Sequence, residues 1–127
     1  TREVKRELKS TKNAAADLGD CLSIYRAVKK IKPNYLLELG PGISTYIICK
    51  AIEDIKKVDQ EYSPTFIAIE ENPEWISYHK SQIPAKYQDF VQYLESDVVN
   101  QVDKTGVKYA YYTSILCVLY QHSKLSV

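Results

Sequence analysis

The chain has 127 residues, 45 % of them hydrophobic and 26 % charged, with a formal net charge of +1 at pH 7. This composition fits one globular domain with its own core, and the near-neutral charge gives no electrostatic reason to expect nucleic acid as a partner. No apolar run approaches the roughly 20 residues that span a bilayer, and the first residues lack the apolar stretch of a secretory signal. These features predict a cytoplasmic protein that does not bind membranes.

The three cysteines, Cys21, Cys49 and Cys117, lie far apart and form no C-x-x-C pair. An odd number at this spacing favours neither a disulfide framework nor a zinc site. We therefore expect reduced, mostly buried thiols and no bound metal.

The first part of the chain is polar and then becomes periodic. Residues 1–17 are predicted to form a charged N-terminal arm or helix, because Lys and Arg recur through its first 13 residues. From Leu18 onward, apolar residues recur at helical spacing, and Pro33 predicts the end of that helix. We expect residues 18–127 to form one domain.

An apolar strand at residues 35–39 leads into residues 40–42, Gly-Pro-Gly, which we call the glycine turn, and then into a second helix. Apolar residues of that helix recur on one face through residues 47–55, and Ser44 or Thr45 is available to cap its start. This order predicts a strand, a tight turn and a helix in immediate succession.

The next segment repeats the pattern. After a polar loop at residues 57–64, the apolar run at residues 66–69 is typical of a buried parallel strand. Asn72 and Pro73 then supply an N-cap and a proline at the first helical position, and the predicted helix extends to about residue 82.

Residues 90–94 form a third predicted strand, and the apolar residues 115–120 could supply a fourth. Alternation of helices and strands predicts an α/β fold with a Rossmann-like parallel sheet and helices on both faces. The unpaired edge of so short a sheet also predicts that copies of the chain associate into a homo-oligomer.

Polar clusters follow all three strands: residues 38–44, 70–72 and 95–97. In a doubly wound sheet, ligands bind at the carboxyl ends of the strands. Gly40 and Gly42 have no Cβ atoms to block close approach of a ligand to the backbone, and Glu70 at the end of the second strand is suited to accept two hydrogen bonds from a ribose diol. The sequence therefore predicts a site for a nucleoside-bearing cofactor.

Two of these segments resemble motifs of class I S-adenosylmethionine-dependent methyltransferases. The run Leu36-Leu37-Glu38-Leu39-Gly40-Pro41-Gly42-Ile43-Ser44-Thr45 resembles the first motif of that family, and Phe66-Ile67-Ala68-Ile69-Glu70-Glu71-Asn72-Pro73-Glu74-Trp75 resembles the second. Ser96-Asp97 is a weaker third match. The resemblance covers roughly residues 20 to 112, the N-terminal part of such a domain.

The resemblance implies a Rossmann-like fold, S-adenosylmethionine as cofactor and methyl transfer to a small-molecule substrate. It also implies the roles of individual residues. Glu38, Gly40 and Gly42 would line the methionine and ribose part of the cofactor, with Pro41 and Ser44 in the same turn. Glu70 would bind the ribose hydroxyls, and Asp97 would meet the adenine amino group.

The chain departs from the family pattern in two places. Glu70 follows Gly40 by 30 positions, whereas about 20 is usual in dinucleotide folds. Residues 115–120 lack the polar motif that the family commonly carries at the fourth strand, and full domains continue for several more strands. The acceptor half of the site is therefore not predicted, and no catalytic residue is assigned.

Two functions stay open on these grounds: a methyltransferase, and a truncated or degenerate domain that binds S-adenosylmethionine or a related nucleoside without catalysis. A nicotinamide oxidoreductase fits less well, because the third glycine of its G-x-G-x-x-G motif would fall at Thr45. Trp75 is expected to pack at a helix start, and His79 to be a surface or packing residue. His122, just beyond the possible fourth strand, is a minor candidate for a proton acceptor.

Overall fold

The structure, a computed structural model, describes residues 18–112. Its helices and strands are, in chain order, α1 (Leu18–Ile31), β1 (Tyr35–Leu39), α2 (Ile43–Val58), β2 (Thr65–Glu70), α3 (Pro73–Gln82), a short 3-10 helix (Ala85–Tyr87), β3 (Gln92–Glu95), β4 (Val98–Val102) and β5 (Lys108–Tyr112). The predicted N-terminal arm, the possible fourth strand at residues 115–120, Cys117 and His122 lie outside the described residues.

Helix α1 ends where the sequence predicts. Lys32 adopts a left-handed conformation with φ of 49°, its N–H donates to the Val28 carbonyl at 2.9 Å, and Pro33 follows. The apolar face of α1 is buried against α2 and includes Cys21 and Tyr25. Cys21 and Cys49 are buried, as predicted.

A polar network also joins these two helices. Tyr25 on α1 donates a hydrogen bond of 2.5 Å to one carboxylate oxygen of Asp54 on α2, and the buried Lys50 lies 3.3 Å from the other oxygen. Burial by itself raises the pKa of Asp54, but the Tyr25 hydrogen bond and the Lys50 charge outweigh it, so the pKa is lowered. Asp54 therefore stays ionised between the helices.

Strands β1, β2 and β3 form a parallel sheet in that order, with Tyr35 opposite Thr65 and Ile67 opposite Gln92. The predicted α/β architecture with a parallel sheet is thus confirmed. Because right-handed crossovers between neighbouring parallel strands put their connecting helices on the same face, this strand order places α2 and α3 on one side.

The side chains bear this arrangement out. Buried residues of α1 and α2 pack with Leu36, Phe66 and Ala68 on one face of the sheet, and His79 of α3 contacts Tyr93 on that same face. The opposite face carries the apolar side chains Leu37, Leu39, Ile67, Ile69 and Leu94. The sequence predicted helices on both faces, but within residues 18–112 the helices pack on one.

Strand β3 begins two residues later than predicted. Phe90 belongs to the turn after the 3-10 helix: its N–H donates to the Tyr87 carbonyl at 2.9 Å, and the two rings stack with centroids 5.8 Å apart. Val91 is buried in the core without pairing in the sheet. The strand therefore runs over Gln92–Glu95.

Strands β4 and β5 form an antiparallel hairpin that the sequence analysis did not predict. Its turn is held by Asp103, whose carboxylate accepts from the N–H groups of Thr105 at 2.8 Å and Val107 at 2.9 Å. Gly106 has a φ of 88°, a left-handed conformation that favours glycine. None of the helices within residues 18–112 is long and apolar enough to cross a membrane.

Candidate functional site

The carboxyl ends of the three parallel strands are tied together by backbone hydrogen bonds. The Gly40 N–H donates to the Ile69 carbonyl at 2.8 Å, and the Ser96 N–H donates to the Glu70 carbonyl at 2.9 Å. These bonds continue the sheet past the ends of β1 and β3. The three polar clusters of the sequence therefore meet at one edge, as the alternation of strands and helices predicts.

The glycine turn makes a sharp transition from β1 to α2. Gly40 has a φ of 85°, which side-chain-bearing residues rarely adopt, and a Cβ atom there would lie 3.7 Å from the Glu70 Oε2 atom. A Cβ atom at Gly42 would meet nothing within 4 Å. Open space therefore lies over Gly42, at the start of α2, where a side chain would otherwise project.

Glu38 lies beneath this turn and is 8 % exposed. The hydroxyls of Ser44 and Thr45 donate to its two carboxylate oxygens. Burial raises the pKa of Glu38 above its usual value, although the two hydroxyls partly oppose this shift. In the structure, Glu38 thus fastens the end of β1 to the start of α2.

Thr45 completes the start of α2 from the third helical position, whereas the sequence analysis expected Ser44 or Thr45 to be the cap itself. Its hydroxyl oxygen accepts from the Gly42 N–H at 3.0 Å while its own N–H donates to the Gly42 carbonyl at 3.2 Å. Gly42 is the N-cap residue of the helix. The reciprocal pair satisfies backbone groups that a helix start otherwise leaves without partners.

Glu70 is the last residue of β2 and is half-buried. Its Oε1 atom accepts from the Asn72 N–H at 3.3 Å, and its Oε2 atom is the one directed toward Gly40. Asn72 in turn caps α3 by accepting from the Glu74 N–H at 2.9 Å. The carboxylate therefore stands at the edge of the turn, on the strand next to β1.

The remaining predicted site residues lie around this centre. Pro41 is buried, Ser44 is half-buried beside Glu38, and Asp97 is exposed just beyond the buried Ser96 at the end of β3. The structure thus brings Glu38, Gly40, Gly42, Ser44 and Glu70 together around the turn. Asp97 lies at the same edge of the sheet, farther along it.

Two residues of α3 contact the turn in a way that the sequence analysis missed. The Trp75 indole N–H donates to the Pro41 carbonyl at 2.9 Å, and the His79 Nε2 atom lies 3.0 Å from the Gly42 carbonyl oxygen. Trp75 and His79 are four positions apart and so share one face of the helix. That spacing, just after a strand end, is the signal that could have identified them.

Burial also shapes the acid–base properties around His79. Its Nδ1 atom lies 2.7 Å from the Tyr93 hydroxyl, and burial lowers the pKa of His79 although the bond to Gly42 opposes the shift. Burial raises the pKa of the Tyr93 hydroxyl and raises that of the nearby Cys49 thiol to about 12. These three side chains are therefore neutral at pH 7. They lie next to the glycine turn, where the space over Gly42 is open.

The residues present suit an uncharged or cationic ligand with hydroxyl groups better than a metal ion. Within residues 18–112, no group of three or more His, Cys, Asp or Glu side chains could hold a metal. A carboxylate beside a glycine and open space over Gly42 could instead hold an organic ligand with hydroxyl groups at the strand ends.

A scan against protein-family models and searches of curated proteins and solved structures found no significant match to this chain.

Proposed function

We propose that this chain binds S-adenosylmethionine at the glycine turn and transfers its methyl group to a small-molecule acceptor. The observation that carries the proposal is the Glu70 carboxylate, which stands beside Gly40 on the neighbouring strand, with its Oε2 atom 3.7 Å from where a Cβ of residue 40 would be. A strand-end carboxylate next to a glycine turn is the arrangement that recognises a ribose diol.

Individual residues would have distinct roles in holding the cofactor. Glu70 would accept hydrogen bonds from the two ribose hydroxyls, and Gly40 and Gly42 would let the ligand approach the backbone closely. Ser44 and Glu38 would line the floor on the methionine side, and Asp97 would meet the adenine amino group. Glu38 would act mainly by keeping the start of α2 in place, since Ser44 and Thr45 already donate to its two oxygens.

The chemistry in this proposal requires no nucleophilic side chain, because the sulfonium of the cofactor already makes its methyl group electrophilic. The protein contributes by holding the cofactor and by keeping water away from the reacting carbon. The neutral His79 and Tyr93 beneath the turn add no competing nucleophilic anion there.

Binding without catalysis is the second candidate. After β3, the described chain turns into the antiparallel β4–β5 hairpin instead of a further helix and parallel strand. Within residues 18–112, the sheet therefore supplies a cofactor edge and little from which an acceptor pocket could be built. This observation favours a domain that holds the cofactor without turnover.

Isothermal titration calorimetry with S-adenosylmethionine, S-adenosylhomocysteine and NAD tests the ligand. We expect both sulfur-containing ligands to bind more tightly than NAD, because Thr45 occupies the position where a dinucleotide motif has its third glycine. Tighter binding of NAD, or no binding of the first two, would refute the proposal. A methyl-transfer assay with small hydroxyl and amine acceptors then separates the enzyme from the binding-only domain.

A further inference from the structure

Two side chains of helix α3 donate hydrogen bonds to the backbone of the glycine turn. The carbonyls of two consecutive residues, Pro41 and Gly42, accept hydrogen bonds from Trp75 and His79 of α3, at 2.9 and 3.0 Å. These donors lie 34 and 37 positions away along the chain. One face of α3 thus fixes two successive peptide groups of the turn.

Each of these contacts fixes an N–H group as well as a carbonyl. Because the peptide unit is planar and trans, the N–H of the following residue points opposite to the carbonyl. The Pro41 carbonyl turned toward Trp75 therefore directs the Gly42 N–H toward the Thr45 hydroxyl, which accepts it at 3.0 Å. The Gly42 carbonyl turned toward His79 directs the Ile43 N–H to the side away from α3.

His79 is itself held in one tautomer. The Gly42 carbonyl can only accept, so the Nε2 atom of His79 carries the proton, and in the neutral ring Nδ1 then accepts from the Tyr93 hydroxyl at 2.7 Å. His79 is buried, and its ring contacts that of Tyr93 at a centroid distance of 5.6 Å. The Trp75 ring is supported by stacking on Tyr78 at 5.4 Å.

The same short segment also carries Glu70. Its carboxylate accepts from the Asn72 N–H, and Asn72 caps α3, so the ribose-binding carboxylate and the two donors to the turn are connected through a single helix start. Gly42 has no side chain with which to hold its own position. The Gly40–Ile69 backbone bond sets the spacing between the turn and Glu70, and α3 fixes the orientation of the two peptide groups that follow Gly40.

We propose that Trp75 and His79 are positioning residues, which orient the backbone of the glycine turn for cofactor binding. This inference rests on the proposed function for its ligand. It adds that α3, which would not touch the cofactor through these side chains, determines the affinity of the turn for it.

Four variants test the inference. Trp75→Phe keeps an aromatic ring and removes the N–H, and His79→Leu removes the imidazole. His79→Gln is the conservative replacement, because its amide N–H can donate to the Gly42 carbonyl in place of Nε2. Tyr78→Phe is the matched control on the same helix, since it keeps the ring that stacks on Trp75.

The first measurement is amide hydrogen exchange of residues 42–45 in the free protein. Since each lost hydrogen bond is worth about 1 kcal/mol, we expect exchange to accelerate about fivefold in each single variant and more than tenfold in the Trp75→Phe/His79→Leu double variant. His79→Gln should restore most of the protection, and Tyr78→Phe should leave exchange unchanged. Unchanged exchange in a folded double variant, as judged by far-ultraviolet circular dichroism, would overturn the inference.

The second measurement is the affinity for S-adenosylhomocysteine, which should fall about tenfold or more in the double variant and stay close to wild type in His79→Gln and Tyr78→Phe. Faster exchange with undiminished affinity would overturn the inference, because the orientation would then not matter to the ligand. Failure of the wild-type protein to bind would instead refute the proposed function. In that case the exchange measurement, which needs no ligand, would still decide whether the two side chains hold the turn.

Discussion

At the scale of single residues, Glu70 is the most direct test of the site. Replacing Glu70 by Ala should remove two charge-assisted hydrogen bonds to the ribose, worth about 1.5 to 3 kcal/mol together, and so weaken S-adenosylhomocysteine binding about tenfold or more. The thermal midpoint of the free protein should change little, because the carboxylate is half-buried at a strand end. Calorimetry and a thermal melt measure the two quantities.

Glu71 supplies the matched control, since it is the adjacent residue, has the same side chain and is exposed. Glu71→Ala should alter the affinity by less than about twofold, in keeping with the small effects of surface charges. Equal losses from the two changes, or no loss from Glu70→Ala, would show that the ribose binds elsewhere.

His79 should make the stability of the protein depend on pH. Burial lowers the pKa of His79 in the folded protein below the usual value of 6.5. At a pH between the lowered pKa and 6.5, the unfolded chain therefore binds more protons than the folded one. The contribution of His79 to the stability of the fold is therefore fully present above about pH 6.5. It is lost as the pH falls from 6.5 through the lowered pKa. Denaturant unfolding at about pH 7.5 and 5.5 should show this loss.

The effect of His79 on the pH dependence of stability must be distinguished from the effects of the titratable and charged groups around it. Tyr93 faces it from β3, Trp75 and Lys80 belong to its own helix, and the Glu38 carboxylate acts on Tyr93 through its charge. The raised pKa of Glu38 acts in the opposite direction, because it stabilises the protein as the pH falls. His79→Gln should therefore remove the acid-side loss, and an unchanged pH profile in this variant would contradict the assignment.

The predictability of the site differed from residue to residue. Glu70 could be placed from sequence because it ends an apolar run, and the end of a parallel strand has a known position in the sheet. His79 was missed because its role depends on a carbonyl 37 positions away, and its four-residue spacing from Trp75 after a strand end was the one sign of that contact. Glu38 was placed at the turn correctly, but its burial under Ser44 and Thr45 depends on packing that the sequence pattern does not reveal.

At the scale of elements, the β4–β5 hairpin depends on its turn. Gly106→Ala should loosen it, because the left-handed conformation at φ of 88° costs an alanine about 1 to 2 kcal/mol. We expect faster amide exchange in β4 and β5 with little change in the three-stranded sheet, to which this hairpin does not belong.

Two further variants give that prediction its controls. Gly106→Asn should lose less protection, because asparagine tolerates left-handed backbone, and Lys104→Ala in the same turn should lose none. Equal exchange in the wild type and Gly106→Ala would show that the turn does not determine the stability of the hairpin.

The elements themselves were predictable where local signals and burial agree. Asn72 and Pro73 start α3 as expected, and the apolar run in β2 is buried on both faces. The start of β3 was misplaced because Phe90 is apolar like a strand residue but packs on Tyr87 in a turn. The hairpin was missed because β4 is short and largely exposed and has polar residues at its centre, Asn100 and Gln101, although Asp103 and Gly106 were readable turn signals.

At the scale of the whole molecule, the exposed β1 part of the sheet face opposite the helices should promote self-association. Leu37 and Leu39 on β1 are 38 % and 57 % exposed, and among the described residues β1 pairs with β2 alone. An apolar face beside a strand edge tends to bind another copy. We expect the sedimentation coefficient of the 127-residue chain to rise with protein concentration.

Leu39→Lys should reduce this association, whereas Val58→Lys should not. Val58 is also an exposed apolar residue, but it lies at the end of α2, away from that face. Analytical ultracentrifugation of the three proteins at matched concentrations makes the comparison. A wild-type chain that stays monomeric throughout would contradict the prediction.

The strand order has a consequence for how this molecule is made. Because β1, β2 and β3 lie side by side in the order in which the ribosome produces them, β2 and β3 each pair with a strand that has already been synthesised. All residues of the glycine turn, and Glu70, are synthesised before α3. The contacts that Trp75 and His79 make with the turn are therefore the last of this group for which the chain becomes available.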